Sequence, residues 1–130
     1  MALVKLSGNR TAAPRGHIFV ESDLIVRIAS MRRNDGIRVR LSIPGPNKLH
    51  VMTPLAELLK IMGPHIEVQL LEPGAGDEDI SYIRRDRIAY VLPTATEDNR
   101  LRLKLTNGED IDVAYAGEIA SLLGEATIAG

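Results

Sequence analysis

The sequence predicts an α+β fold made by tandem duplication of a β-β-β-α unit, with antiparallel sheets and one C-terminal helix in each copy. Three observations predict it. Four blocks of the 130-residue chain recur in the same order in its two halves. The strand-like blocks alternate apolar and polar residues, the period of a half-buried strand. Each half then closes with a short run carrying apolar residues at helical spacing and ending in glycine.

The first block aligns residues 19–28 (FVESDLIVRI) with 82–91 (YIRRDRIAYV), ungapped, at an offset of 63. Phe19 meets Tyr82, Asp23 meets Asp86, and Ile28 meets Val91. This block is apolar enough to be a strand. Its recurring Asp23 and Asp86 suit turn-capping carboxylates that accept backbone N–H bonds. The second block matches residues 37–42 (IRVRLS) with 101–106 (LRLKLT), and the third sets Leu49 and Val51 against Ile111 and Val113. Together they predict a hairpin in each half. The second hairpin turns at Asn107-Gly108, the strongest short hairpin signal, and the first at the longer Pro44-Gly45-Pro46-Asn47. Residues 4–6 and 66–71 can each add a short leading strand.

The fourth block matches residues 54–63 (PLAELLKIMG) with 115–124 (YAGEIASLLG). For the first helix, Thr53 is the predicted N-cap and Pro54 the first helical position, where a missing N–H costs nothing. Leu55, Leu58, Leu59 and Met62 share one face. Gly63 ends this helix and Pro64 stops its continuation. The second helix lacks a good N-cap and ends at Gly124. The units divide as 1–63 and 64–130, with residues 72–79 (EPGAGDED) as a polar linker. A unit of this size buries little apolar surface alone, so one shared core is expected.

Composition narrows the function classes. Apolar residues make up 45% of the chain, which is globular. The four aromatics are Phe19, Tyr82, Tyr90 and Tyr115, so the core must be aliphatic. Cysteine is absent, which excludes disulfides and thiolate metal sites. No stretch approaches the roughly 18 apolar residues of a membrane helix, and no signal-peptide run is present; a cytoplasmic location follows as the expectation. His17, His50 and His65 lack partners at metal-ligand spacing, so no metal and no cofactor is expected. No nucleophile elbow or phosphate-binding glycine loop occurs, and Gly74-Ala75-Gly76 belongs to the linker. The chain reads as non-enzymatic.

Charge is the most informative functional feature. Residues 1–63 hold ten Lys and Arg against four Asp and Glu, giving +6, while residues 64–130 hold six against thirteen, giving −7. On the first hairpin Arg38, Arg40, Lys48 and His50 share the polar face, and no acid lies among them. Arg32 and Arg33 in the preceding turn extend the patch. On the second hairpin Arg102 and Lys104 face Asp110 and Asp112, so opposite charges can pair across strands. The first patch has three readings: a solvated sheet face, an anion-binding face for nucleic acid or a nucleotide, or a surface complementary to the acidic half. A second basic cluster, Arg84, Arg85 and Arg87 beside Tyr82 and Tyr90, suits either base stacking or pairing with local acids.

The pattern from Tyr82 to Leu123 consists of an apolar pair, two polar residues, Asp, Ile, a hairpin closed by Asn-Gly, a Val and a short Glu-bearing helix. It resembles the FlbD-like family of small β-rich bacterial and phage proteins, and is more distantly similar to LytTR DNA-binding domains. The resemblance implies a strand-rich unit with a C-terminal helix and carries over no functional residue; the first copy departs from it by lacking Asn-Gly. The expected function is that of a phage-type binding or adaptor protein acting as a homo-oligomer, foremost a dimer, with another protein as a further partner. The alternatives are a nucleic-acid-binding regulator using the basic face, or sequestration of a small anionic nucleotide.

Overall fold

The computed structural model describes residues 3–8, 16–31, 36–42, 48–71, 80–93 and 99–127. The chain runs β1 (Leu3–Ser7), β2 (His17–Glu21), a 3-10 turn (Ser22–Leu24), β3 (Ile25–Met31), β4 (Gly36–Leu41), β5 (Lys48–Val51) and α1 (Leu55–Met62). The second half continues with β6 (His65–Gln69), β7 (Ile80–Arg84), a 3-10 turn (Arg85–Arg87), β8 (Ile88–Pro93), β9 (Arg100–Leu105), β10 (Asp110–Ala114) and α2 (Gly117–Gly124). The fold is α+β, as expected. Each half, however, has five strands rather than three with one leading strand.

The extra strands come from the recurring Asp blocks. Residues 19–28 and 82–91 do not form single strands; each bends at its Asp through a 3-10 turn. The polar triplets at 21–23 and 84–86 interrupt the apolar run where each strand breaks into its 3-10 turn. The capping differs from expectation. Glu21, not Asp23, supplies the carboxylate that accepts from the Asp23 N–H, and the turn at 85–87 has no side-chain cap.

The strands form three antiparallel sheets: β1-β2, β5-β4-β3-β7-β6 and β10-β9-β8. The central five-stranded sheet takes β3–β5 from residues 1–63 and β6–β7 from 64–130. The join is the β3–β7 pairing, in which Arg27, Ile28 and Ala29 face Ile83, Tyr82 and Ser81. Ile25, Ile28, Val39, Leu41 and Val51 line one face of this sheet and pack with Leu6, Val20, Leu58 and Met62. Ile66, Val68 and Ile83 pack on the other face with Leu101, Leu103, Leu105, Val113 and Ile119. The layers therefore run two strands, five strands, three strands, with an aliphatic cluster on each side of the middle sheet. Residues 72–79, read as linker, lie outside the described residues.

Both helices behave nearly as their sequences suggest. α1 ends at Gly63, whose φ of 84° is the left-handed geometry that glycine adopts without steric cost. Its start differs: Pro54 takes the N-cap position, without a side-chain cap. The buried Thr53 hydroxyl instead accepts from the Ser7 N–H at 2.8 Å and ties β1 to the end of β5. α2 also starts without a side-chain cap, at Ala116. Among the described residues, no helix is long and apolar enough to cross a membrane.

Candidate nucleic-acid interface

Residues directly opposite in antiparallel strands share a sheet face. The register of the central sheet therefore lays out two rows on the face toward the three-stranded sheet. One runs Ile66, Ile83, Arg27, Arg40, Lys48 across β6-β7-β3-β4-β5, and the next runs Val68, Ser81, Ala29, Arg38, His50. Each row begins apolar at β6 and becomes cationic toward β5. The register thus brings Arg38, Arg40 and His50 together on one face.

That face is not a simple solvated surface. Arg38 is 4% exposed and Arg40 and His50 are half-buried. The row also contains Arg27, 4% exposed, which the sequence reading missed. Its signal was available: a lone arginine inside the apolar run LIVRIA must find a partner or leave a charge stranded. Arg27 donates from Nε to Ser81 Oγ and from Nη1 to Glu109 Oε2, both at 2.6 Å. Arg40 Nε lies 3.9 Å from the same Glu109 oxygen. An acid therefore does enter the basic face, and it comes from the acidic half of the chain.

The Asn-Gly turn between β9 and β10 positions that acid. Gly108 adopts a φ of 94°, and the Asn107 side chain accepts from the Glu109 N–H at 3.1 Å. The Asn107 amide also donates to Glu109 Oε1 at 2.6 Å, leaving Oε2 for Arg27. The carboxylate is thus held by one oxygen and presented by the other. Arg32 and Arg33 lie outside the described residues, as does the Lys48 side chain.

The second basic cluster is taken up by backbone. Arg84 is buried and donates to Met62 O through both Nε and Nη2, at 3.1 and 2.7 Å, and to Asp23 O and Ser22 O at 3.0 Å each. Arg87 donates to Asp23 O at 2.6 Å. These two arginines pin the C-terminus of α1 and the first 3-10 turn to the second. Asp86 sits 4.0 Å from both. Tyr82 and Tyr90 stand in different sheets and do not form one stacking site with the cluster. Tyr82 meets the His65 ring edge-on at 6.0 Å and donates to Glu67, 3.4 Å away. Burial, and then the Glu67 charge, push its phenol above the ordinary value of 10.0. Tyr90 is exposed, and so is Arg85.

The outer face of the three-stranded sheet is self-neutralised as expected. Arg102 Nε reaches Asp112 at 3.0 Å and Lys104 Nζ reaches Asp110 at 3.4 Å. Arg100 adds a third contact, to Asp112 at 3.3 Å. The Arg102 hydrogen bond, with Arg100 nearby, holds the Asp112 carboxyl below its ordinary value of 3.8. Among the described residues, no group of three or more His, Asp or Glu side chains could hold a metal ion.

No family model matches the chain. No curated protein matches its sequence. Among solved structures, the chain is similar to one described as the LytTr DNA-binding domain of a methyl-accepting/DNA response regulator from Bacillus cereus. The similarity covers 95% of this chain and 98% of that one, at a TM-score of 0.58 and 16% identity. At that identity the likeness shows a shared fold.

Proposed function

We propose that this chain is a non-enzymatic DNA-binding domain whose contacts come from the cationic end of the central sheet in the first half. The observation that carries the reading is the near full-length fold likeness to the LytTr DNA-binding domain. It supports nucleic-acid binding over a general adaptor role. The register sets Arg40 opposite Lys48 and Arg38 opposite His50, on β4 and the edge strand β5. Arg38, buried on the same face, is left out of the contacts, and Arg32 and Arg33 belong to the proposed patch by their place in the sequence between β3 and β4. A net charge of −1 means that any phosphate attraction is local to this margin.

The same reading takes the two halves as copies of one unit, since both run β-β-turn-β-β-β-α. It also takes the chain to act as a dimer. Leu3 and Phe19, 71% and 65% exposed on the outer face of β1-β2, supply apolar surface for that contact. Fluorescence anisotropy with a labelled DNA duplex, read across a salt series, tests the binding. Affinity should fall steeply with salt, with a log–log slope of about −0.9 per phosphate neutralised. Absence of binding at low salt would remove the proposal.

A further inference from the structure

The outer edge of β6 carries a feature that DNA binding does not use. β6 lies at the margin of the central sheet, paired with β7 on one side. On the other side β10 begins to complete it: Leu70 bridges Val113, and the Leu71 N–H donates to Asp112 O at 3.1 Å. The chain then leaves the sheet after Ala114 and turns into α2. Four residues back along β6, the edge N–H of Glu67 is taken by a side chain instead, Glu118 Oε2 of α2, at 2.6 Å. One edge is thus completed by backbone at one end and by a carboxylate further along.

Two cavities flank that carboxylate. One, of about 310 Å³, is lined by Glu67, Val68, Gln69, Ala114 and Gly117, among others, and holds two carboxylates and, among the described residues, no cation. The other, of about 480 Å³, is lined by residues including His65, Arg85, Ser121, Leu122 and Glu125. Both share Gly117 and Glu118, so together they trace the β6 edge on either side of the Glu118 contact.

We propose that this edge is a docking slot for an extended peptide segment of a partner protein, with at least one Lys or Arg, which adds as a strand to β6 and displaces Glu118. Backbone N–H and C=O groups of β6 would give the pairing, as in strand addition at other sheet edges. Glu118 holds the Glu67 N–H satisfied until a peptide carbonyl replaces it. Once released, Glu118 and Glu67 face the incoming strand as two carboxylates, which selects a basic side chain. A fully charged nucleic-acid backbone is excluded by the same two groups.

The test uses the whole chain and three labelled probes: an alternating Val/Lys peptide, the matching Val/Glu peptide, and a Val/Lys peptide of equal charge with proline at alternate positions. Fluorescence anisotropy should show the first binding and the other two not, because proline cannot donate to the ladder. Amide exchange should show the Glu67 N–H more protected with the first peptide. Glu67→Gln should weaken the Val/Lys peptide about tenfold, the scale of one charge-assisted bond, and leave duplex DNA binding unchanged. Equal binding of the proline peptide would overturn strand addition, and equal binding of the Val/Glu peptide would overturn the charge selection. Concentration-dependent protection of the Glu67 amide without any peptide would overturn the choice of occupant in favour of a second copy. Loss of DNA binding with intact peptide binding would count against the DNA reading alone.

Discussion

The hairpins β4-β5 and β9-β10 start from nearly the same sequence pattern and end in different environments. Both alternate apolar and polar residues and both turn their apolar side to an aliphatic cluster. In β9-β10 the polar side is the outer surface, and its charges cancel among themselves through Arg102–Asp112 and Lys104–Asp110. In β4-β5 the polar side shares a sheet face with β3, β7 and β6, and Glu109 of the β9–β10 turn comes within reach of Arg27 and Arg40 there. Arg38 is buried on that face. Alternation decides which residues share a face. The neighbours that a strand acquires decide whether that face is wet.

The largest test of this contrast is in the two clusters. Leu58→Ala and Ile119→Ala each remove a fully buried side chain, one on each side of the central sheet. Each should cost about 2–5 kcal/mol, read by urea unfolding, because both leave a cavity in a packed cluster. A large loss for one and none for the other would mean that only one cluster holds the fold. The next effect concerns the carboxylate linking the halves. Glu109→Ala leaves the Arg27 guanidinium buried without its 2.6 Å partner and should cost about 3 kcal/mol. Arg27→Met combined with Glu109→Gln should recover most of that loss, since it removes the buried charge together with its partner.

The smallest effects belong to the outer hairpin. Arg102→Ala should leave the melting temperature close to the wild-type value, because surface pairs are weak and screened. Its trace should be in acid. The Asp112 pKa is lowered in the fold, chiefly by the Arg102 hydrogen bond. A lowered pKa contributes stability that is complete above the unfolded value of 3.8 and is lost as pH falls through the folded value. Acid unfolding of Arg102→Ala should therefore be less steep below about pH 4 than that of the wild type. Identical acid profiles would show that the pair has no linkage to folding.

Much of the fold was legible in local chemistry. Asn107-Gly108 gave its hairpin turn, Gly63 its helix end, and the alternation of 37–42 and 101–106 two strands with the right faces buried. What was not legible depended on residues distant in sequence. The β3–β7 pairing joins positions more than fifty residues apart, and nothing in either strand names its partner. Thr53 looked like a helix cap because its sequence neighbours suit one, yet its hydroxyl is used by Ser7 of β1. Arg84 and Arg87 suited base stacking or pairing with local acids, and neither reading included their backbone acceptors, Ser22, Asp23 and Met62, which lie in the other half. The alternation of β4 and β5 put Arg38, Arg40 and His50 of the basic face on one side. The burial of that face and its acid, Glu109, required the third dimension.

The central claim is that the cations of the first half, and not those of the second, meet DNA. The most direct measurement is duplex binding across a salt series for two paired variants, Arg40→Ala with Lys48→Ala, and Arg102→Ala with Lys104→Ala. Removing the first pair should weaken binding and lower the salt slope by about 2, one for each phosphate no longer neutralised. Removing the second pair should leave both affinity and slope unchanged. The reverse outcome, or equal weakening from both pairs, would contradict the account.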